Sequence, residues 1–271
     1  MMIDQYTGLY CVIGNPVRHS LGPAMQNAAF REKGINAVYL AFEATDAGAC
    51  IKGVRSLGIR GLSVTIPFKT DIIPFLDEVD DLALRIGAVN TVVNKEGRLR
   101  GYNTDAYGAL MALEEKTEVP GKRVVIIGAG GASRAVGYIL KEKGATVVVS
   151  NRSQVRGMVL CRDLGCEFIA PDKLHDVHAD IIINTTPVGM SPDIDKSPVP
   201  EKIFKEGMTA MDIIYNPLKT RFLAAAKARG CEIVNGLSMF VYQGAEQFRL
   251  WTGIKAPVEV MTAAVEKELS N

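Results

Sequence analysis

Residues 124–133 read Val-Val-Ile-Ile-Gly-Ala-Gly-Gly-Ala-Ser, and no other stretch limits the fold so strongly. Four β-branched apolar residues in a row make a strand buried on both faces. Gly128 then permits a tight turn, Gly130 lets backbone approach a ligand, and residues 132–143 have helical spacing up to Gly144. A strand, a glycine turn and a helix in this order aim helix N–H groups and the positive end of the helix dipole at a pyrophosphate. Ser133 stands where the third glycine of the pattern falls. The expected contacts at the turn are Gly128, Ala129, Gly130, Gly131 and Ala132.

The next strand, 147–150, selects the dinucleotide. A site for NAD carries Asp or Glu about 20 residues after the turn, on the ribose 2′-hydroxyl. Here the chain reads Ser150-Asn151-Arg152-Ser153, with no acid. Arg152 can pair with a 2′-phosphate and stack on adenine, Ser153 can donate to the same phosphate, and Arg156 adds charge one helical turn on. The expected cofactor is therefore NADP.

Short apolar runs alternate with helical patterns along the whole chain, the mark of an α/β protein with mainly parallel sheets. Strands are predicted at 9–13, 38–42, 62–65, 90–94, 98–102, 123–127, 181–185, 210–214 and 232–234. Helices are predicted at 23–33, from Asp46 as N-cap to before Gly58, from 104 or 105 to 116, and at 153–164 and 220–228. Lys95-Glu96-Gly97 reads as a hairpin turn, 191–200 as a surface loop, and 237–271 as helical. Pro120-Gly121-Lys122 is the clearest punctuation and divides two lobes.

Composition excludes several classes of function. Lys plus Arg number 31 against 30 Asp plus Glu, a net charge of +1 that holds neither nucleic acid nor an anionic membrane. Five cysteines at scattered spacing form no disulfide framework, and they read as small apolar core residues in a reducing compartment. Met1-Met2-Ile3-Asp4-Gln5 has no basic stretch before an apolar run, so no leader is expected and the location is expected to be cytoplasmic. His175 and His178 have HxxH spacing without an open-site signature, and no metal is expected.

A polar constellation marks the first lobe. Ser20 precedes a helix, as an N-cap or as a carboxylate ligand. Ser63 and Thr65 share one face of a strand, Lys69 follows the loop fixed by Pro67, Asn90 opens another strand, and Asp105 sits at a helix start. One Lys, one Asp and several hydroxyls and amides suit a small polyhydroxylated anion. Lys69 with Asp105 is either a plain salt bridge or a pair that moves a proton to or from an alcohol.

Taken jointly, these segments resemble shikimate dehydrogenase. The likeness runs through GNPVRHS (14–20), GLSVTIPFK (61–69), GAVNT (87–91), GYNTD (101–105), GAGGASRA (128–135), NRS (151–153), NTTPVGM (184–190), DIIYNPLKT (212–220) and NGLSMFVYQGAEQFRLWTG (235–253). The resemblance implies an NADP-dependent interconversion of 3-dehydroshikimate and shikimate, in aromatic amino-acid biosynthesis. It implies an N-terminal α/β substrate-binding and catalytic domain, 1–105, and a C-terminal Rossmann-type NADP-binding domain, 106–236, with the helices of 237–271 returning to the first. It makes Lys69 and Asp105 the catalytic pair. Ser20, Gly22, Ser63, Thr65, Asn90 and Gln243 then match substrate-holding positions, and Tyr215 matches a tyrosine at the mouth of the cleft. Asn151, Arg152, Ser153, Arg156 and Thr185 match cofactor positions, with Gly236 and Met239 near the nicotinamide. The partners implied are one small molecule, shikimate or 3-dehydroshikimate, with no nucleic acid and no membrane, in a monomer or homodimer.

The chain departs from the family at two positions. Gly22 stands where a second carboxylate-binding Ser is usual, and Ser63 where Asn is usual. One lost hydrogen bond to a charged group costs about 1.5–3 kcal/mol, which implies a raised KM for shikimate unless something compensates. Met25-Gln26-Asn27 resembles the quinate/shikimate branch, whose members accept quinate and often use NAD, whereas Arg152-Ser153 argues for NADP. The alternatives are therefore a quinate/shikimate or paralogous dehydrogenase of a related cyclic hydroxy acid, and a non-catalytic NADP-binding regulator.

Overall fold

The computed structural model describes residues 3–270, which cluster into two compact units. Thr104 closes the first unit, Asp105–Tyr242 form the second, and the chain from Gln243 onward belongs again to the first.

The first unit starts with strand β1 (Gly8–Gly14), helix α1 (Gly22–Glu32) and strand β2 (Ala37–Glu43). Helix α2 (Ala47–Ser56) follows, with the Asp46 carboxylate accepting the Ala49 N–H at 2.6 Å as its N-cap. Then come β3 (Gly61–Val64), the short β4 (Glu78–Val79), α3 (Asp81–Ile86), and the hairpin β5 (Thr91–Lys95) and β6 (Arg98–Tyr102). The sheet order is β2-β1-β3-β5-β6-β4. β1 pairs in parallel with β2 and β3, while β5 runs antiparallel to both β3 and β6.

Alternation along β1 separates two cores. Cys11 and Ile13 pack with Ala47, Ile51 and Val54 of α2 on one face. On the other, Tyr10 meets Phe30 of α1 and Trp251, with ring centroids 5.0 and 5.3 Å apart.

The second unit runs through α4 (Thr104–Glu114, whose first residue belongs to the first unit), β7 (Arg123–Ile127), α5 (Gly131–Glu142), β8 (Thr146–Ser150) and α6 (Gln154–Leu164). It continues with β9 (Glu167–Phe168), β10 (Ile181–Asn184), β11 (Thr209–Asp212), α7 (Arg221–Ala228) and β12 (Glu232–Val234). Its sheet, in the order β12-β11-β10-β7-β8-β9, pairs in parallel throughout. Val125, Ile127, Val148, Ile182 and Ala210 face Phe222, Leu223 and Ala226 of α7. This is the doubly covered sheet that continuous β-branched strands require.

Helix α8 (Gly236–Thr252) carries the chain from the second unit into the first, and α9 (Val258–Leu269) packs on α1. The handover thus falls inside α8 at Gln243 rather than at 237. The helical tail expected from sequence is two helices, separated at 253–257. Gly253 takes a left-handed φ of 73°, and Pro257 has no N–H to continue the ladder. β4, α3 and β9 carry too few residues to show a period, so the sequence pattern does not reveal them. Among the described residues, no helix is long and apolar enough to cross a membrane.

Candidate functional site

The second unit builds its site at the carboxyl ends of β7 and β8. Gly128 has φ +123°, and a Cβ there would lie 2.5 Å from Thr185 Oγ1, so this position accepts only glycine. Thr185 is drawn close by a short relay. The Gly130 N–H donates to Ser133 Oγ at 3.1 Å, and the Thr185 hydroxyl donates to the Ile127 carbonyl at 2.7 Å. The proton between Ser133 Oγ and Thr185 Oγ1, 2.7 Å apart, therefore comes from Ser133, because Thr185 has spent its own. Ser133 thus replaces the third glycine with a clamp on the turn.

Over that turn, a Cβ at Gly130 or Gly131 would meet nothing within 4 Å, and the first turn of α5 contains no acidic residue. Ala129 and Ala132 are half-buried beside it. At the end of β8, Ser150 is buried, while Arg152, Ser153 and Arg156 are exposed. Asn151 Nδ2 donates to the Ser153 carbonyl at 2.8 Å, which fixes the loop that carries Arg152. An open glycine cradle whose helix starts without an acidic residue, and an exposed arginine beyond the next strand, fit a dinucleotide with an extra phosphate.

Further along this unit, Tyr215 is half-buried and stacks on Phe240 with centroids 5.0 Å apart; burial pushes its phenol up from the usual range. Gly236 starts α8 against the Ile213 carbonyl, 2.4 Å from where a Cβ would stand, and Met239 is buried one turn on. Asp105 is half-buried in the first turn of α4.

Asp212, at the end of β11, is fully buried. It accepts from Thr220 Oγ1 at 2.7 Å, Asn184 Nδ2 at 3.1 Å and the Ile214 N–H at 3.1 Å. Desolvation pushes its carboxyl up to about 6 despite those three donors.

The first unit assembles its polar residues by side-chain bonds. Ser20 is not the N-cap residue of α1. That residue is Leu21, and Ser20 Oγ instead accepts the Gly22 N–H at 3.2 Å. A Cβ at Gly22 would stand 3.2 Å from Ser20 Oγ and 3.4 Å from Tyr39 Oη, so the tyrosine fills the space beside this glycine. Tyr39 donates to Ser63 Oγ at 2.6 Å, and Ser63 donates to Gln247 Oε1 at 2.9 Å. Gln247 Nε2 reaches Thr91 Oγ1 at 3.0 Å, and Thr91 donates to Asn90 Oδ1 at 2.8 Å. Asn90 Oδ1 also takes the Thr104 N–H at 2.7 Å. Ser63 and Asn90 are thereby joined in one buried network. Ser63 spends its proton inside it.

Thr65 and Lys69 are half-buried, and the Lys69 carbonyl accepts the Val89 N–H at 2.8 Å, which ties its backbone to the residue before Asn90. Gln243 is half-buried on α8.

Five residues escape the reading of sequence: Tyr39, Thr91, Thr104, Gln247 and Asp212. Gln247 had one available signal, since it follows Gln243 by four residues and so shares its helical face. His175 and His178 each lie against a different aspartate, at 3.3 and 3.8 Å. Among the described residues, no cluster of His, Cys, Asp or Glu could hold a metal ion, and all five cysteines are free.

Three family models match the chain. "Shikimate dehydrogenase substrate binding domain" matches residues 12–92, "Shikimate / quinate 5-dehydrogenase" 111–213, and "Shikimate 5'-dehydrogenase C-terminal domain" 236–266. A curated relative, the shikimate dehydrogenase (NADP(+)) of Moorella thermoacetica, is 47% identical over 99% of this chain and 96% of its own. A crystal structure of shikimate dehydrogenase in complex with NADP+ superposes with a TM-score of 0.96 at 42% identity, covering 100% of this chain and 98% of the other. Shikimate 5-dehydrogenase from Thermus thermophilus, in complex with NADP(H) and shikimate, gives 0.91 at 40% identity, covering 96% and 99%.

Proposed function

The chain belongs to the shikimate dehydrogenase family, and on that premise we propose how its own residues carry out the family's reaction. It is an NADP-dependent oxidoreductase that interconverts 3-dehydroshikimate and shikimate, a step of aromatic amino-acid biosynthesis. Bound NADPH supplies the hydride for the C3 carbonyl. The rest falls to the protein.

Lys69 and Asp105 are the pair that delivers the proton to the forming alkoxide, and that removes it when shikimate is oxidised. Ser20 donates to the substrate carboxylate. Asn90, Thr65 and Gln243 hold the ring hydroxyls. Gly22 and Ser63 line the same site, although Ser63 is committed to Gln247. Arg152, Ser153 and Arg156 hold the 2′-phosphate, with Asn151 keeping their loop in shape. The turn from Gly128 to Ala132, with Thr185 behind it, takes the pyrophosphate, and Gly236, Met239 and Tyr215 border the nicotinamide end. The near-zero net charge supports a small-molecule partner rather than nucleic acid or a membrane surface.

The observation that carries the choice of cofactor is the acid-free end of β8 with Arg152 exposed beside it. Initial rates of cofactor reduction, with shikimate and quinate each crossed with NADP and NAD, test the reading. Turnover should be dominated by shikimate with NADP. A preference for quinate, or for NAD, would transfer the chain to the quinate branch, and silence on both acids would leave a different cyclic hydroxy acid as substrate.

A further inference from the structure

Gln247 touches neither Lys69 nor the glycine turn in any bond described above, yet it is 3% exposed and uses both ends of its amide. Hydrogen-bond polarity makes it more than a filler. A hydroxyl has one proton to give. Tyr39 gives its proton to Ser63, and Ser63 gives its own to Gln247 Oε1. The other end of Gln247 is then Nε2, a donor, and it faces Thr91 Oγ1 and the Asn90 carbonyl at 3.3 Å. Because Thr91 receives a proton from Gln247, its own is released to Asn90 Oδ1. The Thr104 N–H donates to the same Asn90 side-chain oxygen at 2.7 Å, and Thr104 Oγ1 lies 3.2 Å from it. Asn90 Nδ2 donates to Thr104 Oγ1 at 3.0 Å, in keeping with that orientation.

We propose that Gln247 is a positioning residue for the substrate: through Thr91 it adds a second donor to the amide orientation of Asn90 that the Thr104 N–H sets, so that Asn90 meets its ligand as a hydrogen-bond donor. The ligand atom that accepts from it is accordingly an oxygen with a lone pair to offer, a hydroxyl or carbonyl oxygen of the cyclic acid. This rests on the reading of Asn90 as a substrate-holding residue. The relay runs one way from Tyr39 to Asn90, and each member is buried, so no bulk water competes to reverse it.

Gln247→Glu keeps the shape and the acceptor for Ser63 but cannot donate when ionised. Thr91 must then turn its proton toward position 247, and Asn90 Oδ1 loses that donor while keeping Thr104. Thr91→Val removes the same proton by a different route, and Thr91→Ser restores it. The expected result is a KM for shikimate raised about 10-fold in both Gln247→Glu and Thr91→Val, with kcat within about twofold and KM for NADP unchanged. Thr91→Ser stays near wild type. Tyr39→Phe has little effect on KM, because Ser63 still donates to Gln247.

The double variant Gln247→Glu/Thr91→Val separates a relay from two packing defects. A single relay makes its KM no worse than the larger single effect, whereas independent defects multiply to about 100-fold. An unchanged KM in either single variant, or multiplication in the double, overturns the relay while the wild type still turns over shikimate. Should one variant not fold, the other single variant decides alone. A wild type inactive on shikimate removes the reading of Asn90, and the inference falls with it.

Discussion

The two sheets end in different kinds of site. In the second unit, the working groups are backbone and near neighbours. Residues 127–133 and 150–156 supply the turn, the helix start and the arginine loop, and the Ser133–Thr185 pair is the one distant clamp. In the first unit, the polar network draws on Tyr39, Ser63, Asn90, Thr91, Thr104 and Gln247, with Ser63 and Gln247 184 positions apart in the chain. A parallel sheet with a glycine turn can recognise phosphate through main chain alone. A mixed sheet that must distinguish hydroxyls on a ring needs side chains, and side chains need others to orient them.

If proton transfer depends on Lys69 of the first unit and cofactor affinity on the glycine turn and arginine loop of the second, single substitutions should separate them. Lys69→Ala should lower kcat by roughly 10²–10⁴-fold, the usual range for loss of a proton-transfer group, and leave the Kd for NADP untouched. Stopped-flow hydride transfer and a separate titration of NADP fluorescence quenching measure the two quantities. A Lys69→Ala enzyme that loses NADP affinity as much as rate would dissolve the division.

How far each site was legible follows the same line. Strand, Gly128-Ala129-Gly130 and helix lie within ten residues, and every element has a local cause, so sequence alone placed the turn and the Arg152 loop. The strands of the first unit, the two-residue β4 excepted, were equally legible from their periods. Gln247 was not, because a glutamine on an amphipathic helix looks the same whether it faces water or Ser63. Ser20 shows the limit at closer range. It does accept a helix-start N–H, but from Gly22 and from one residue outside the N-cap, a difference of backbone dihedral that residue type does not encode. The break at 253–257 has its local cause in Gly253 and Pro257.

Asp212 sharpens the comparison through stability rather than rate. Its folded carboxyl titrates near 6 and the unfolded one near 3.8, so between these values the folded chain holds the extra proton. Unfolding free energy must then fall as pH rises from about 4 to about 6, by an amount on the order of 3 kcal/mol, and stay level above. Asp212→Asn removes this slope. Urea denaturation of both proteins at several pH values, read as the difference between them, isolates the group from the surface carboxylates. A flat difference would mean that the donors from Thr220, Asn184 and Ile214 offset its burial completely.

Arg152→Ala should raise KM for NADP roughly 10- to 100-fold, the worth of charge-assisted bonds to one phosphate. KM for NAD, which has no 2′-phosphate, should change little, so the NADP-to-NAD preference narrows by the same factor. An unchanged ratio would move the phosphate ligand elsewhere on the loop, with Arg156 the next residue to substitute.

The smallest effects come from two helix starts that look alike in sequence. Asp46 caps α2 through a 2.6 Å bond to the Ala49 N–H, whereas Ser153 reaches the Arg156 N–H only at 3.5 Å. A bond at the edge of hydrogen-bonding distance contributes little. Asp46→Ala should therefore lower unfolding free energy by about 1 kcal/mol with no change in either KM. Ser153→Ala should leave stability within about 0.3 kcal/mol and raise KM for NADP about threefold, because its hydroxyl serves the phosphate rather than the helix. A Ser153→Ala protein that loses as much stability as Asp46→Ala would make the serine a structural cap and leave the 2′-phosphate to the arginines alone.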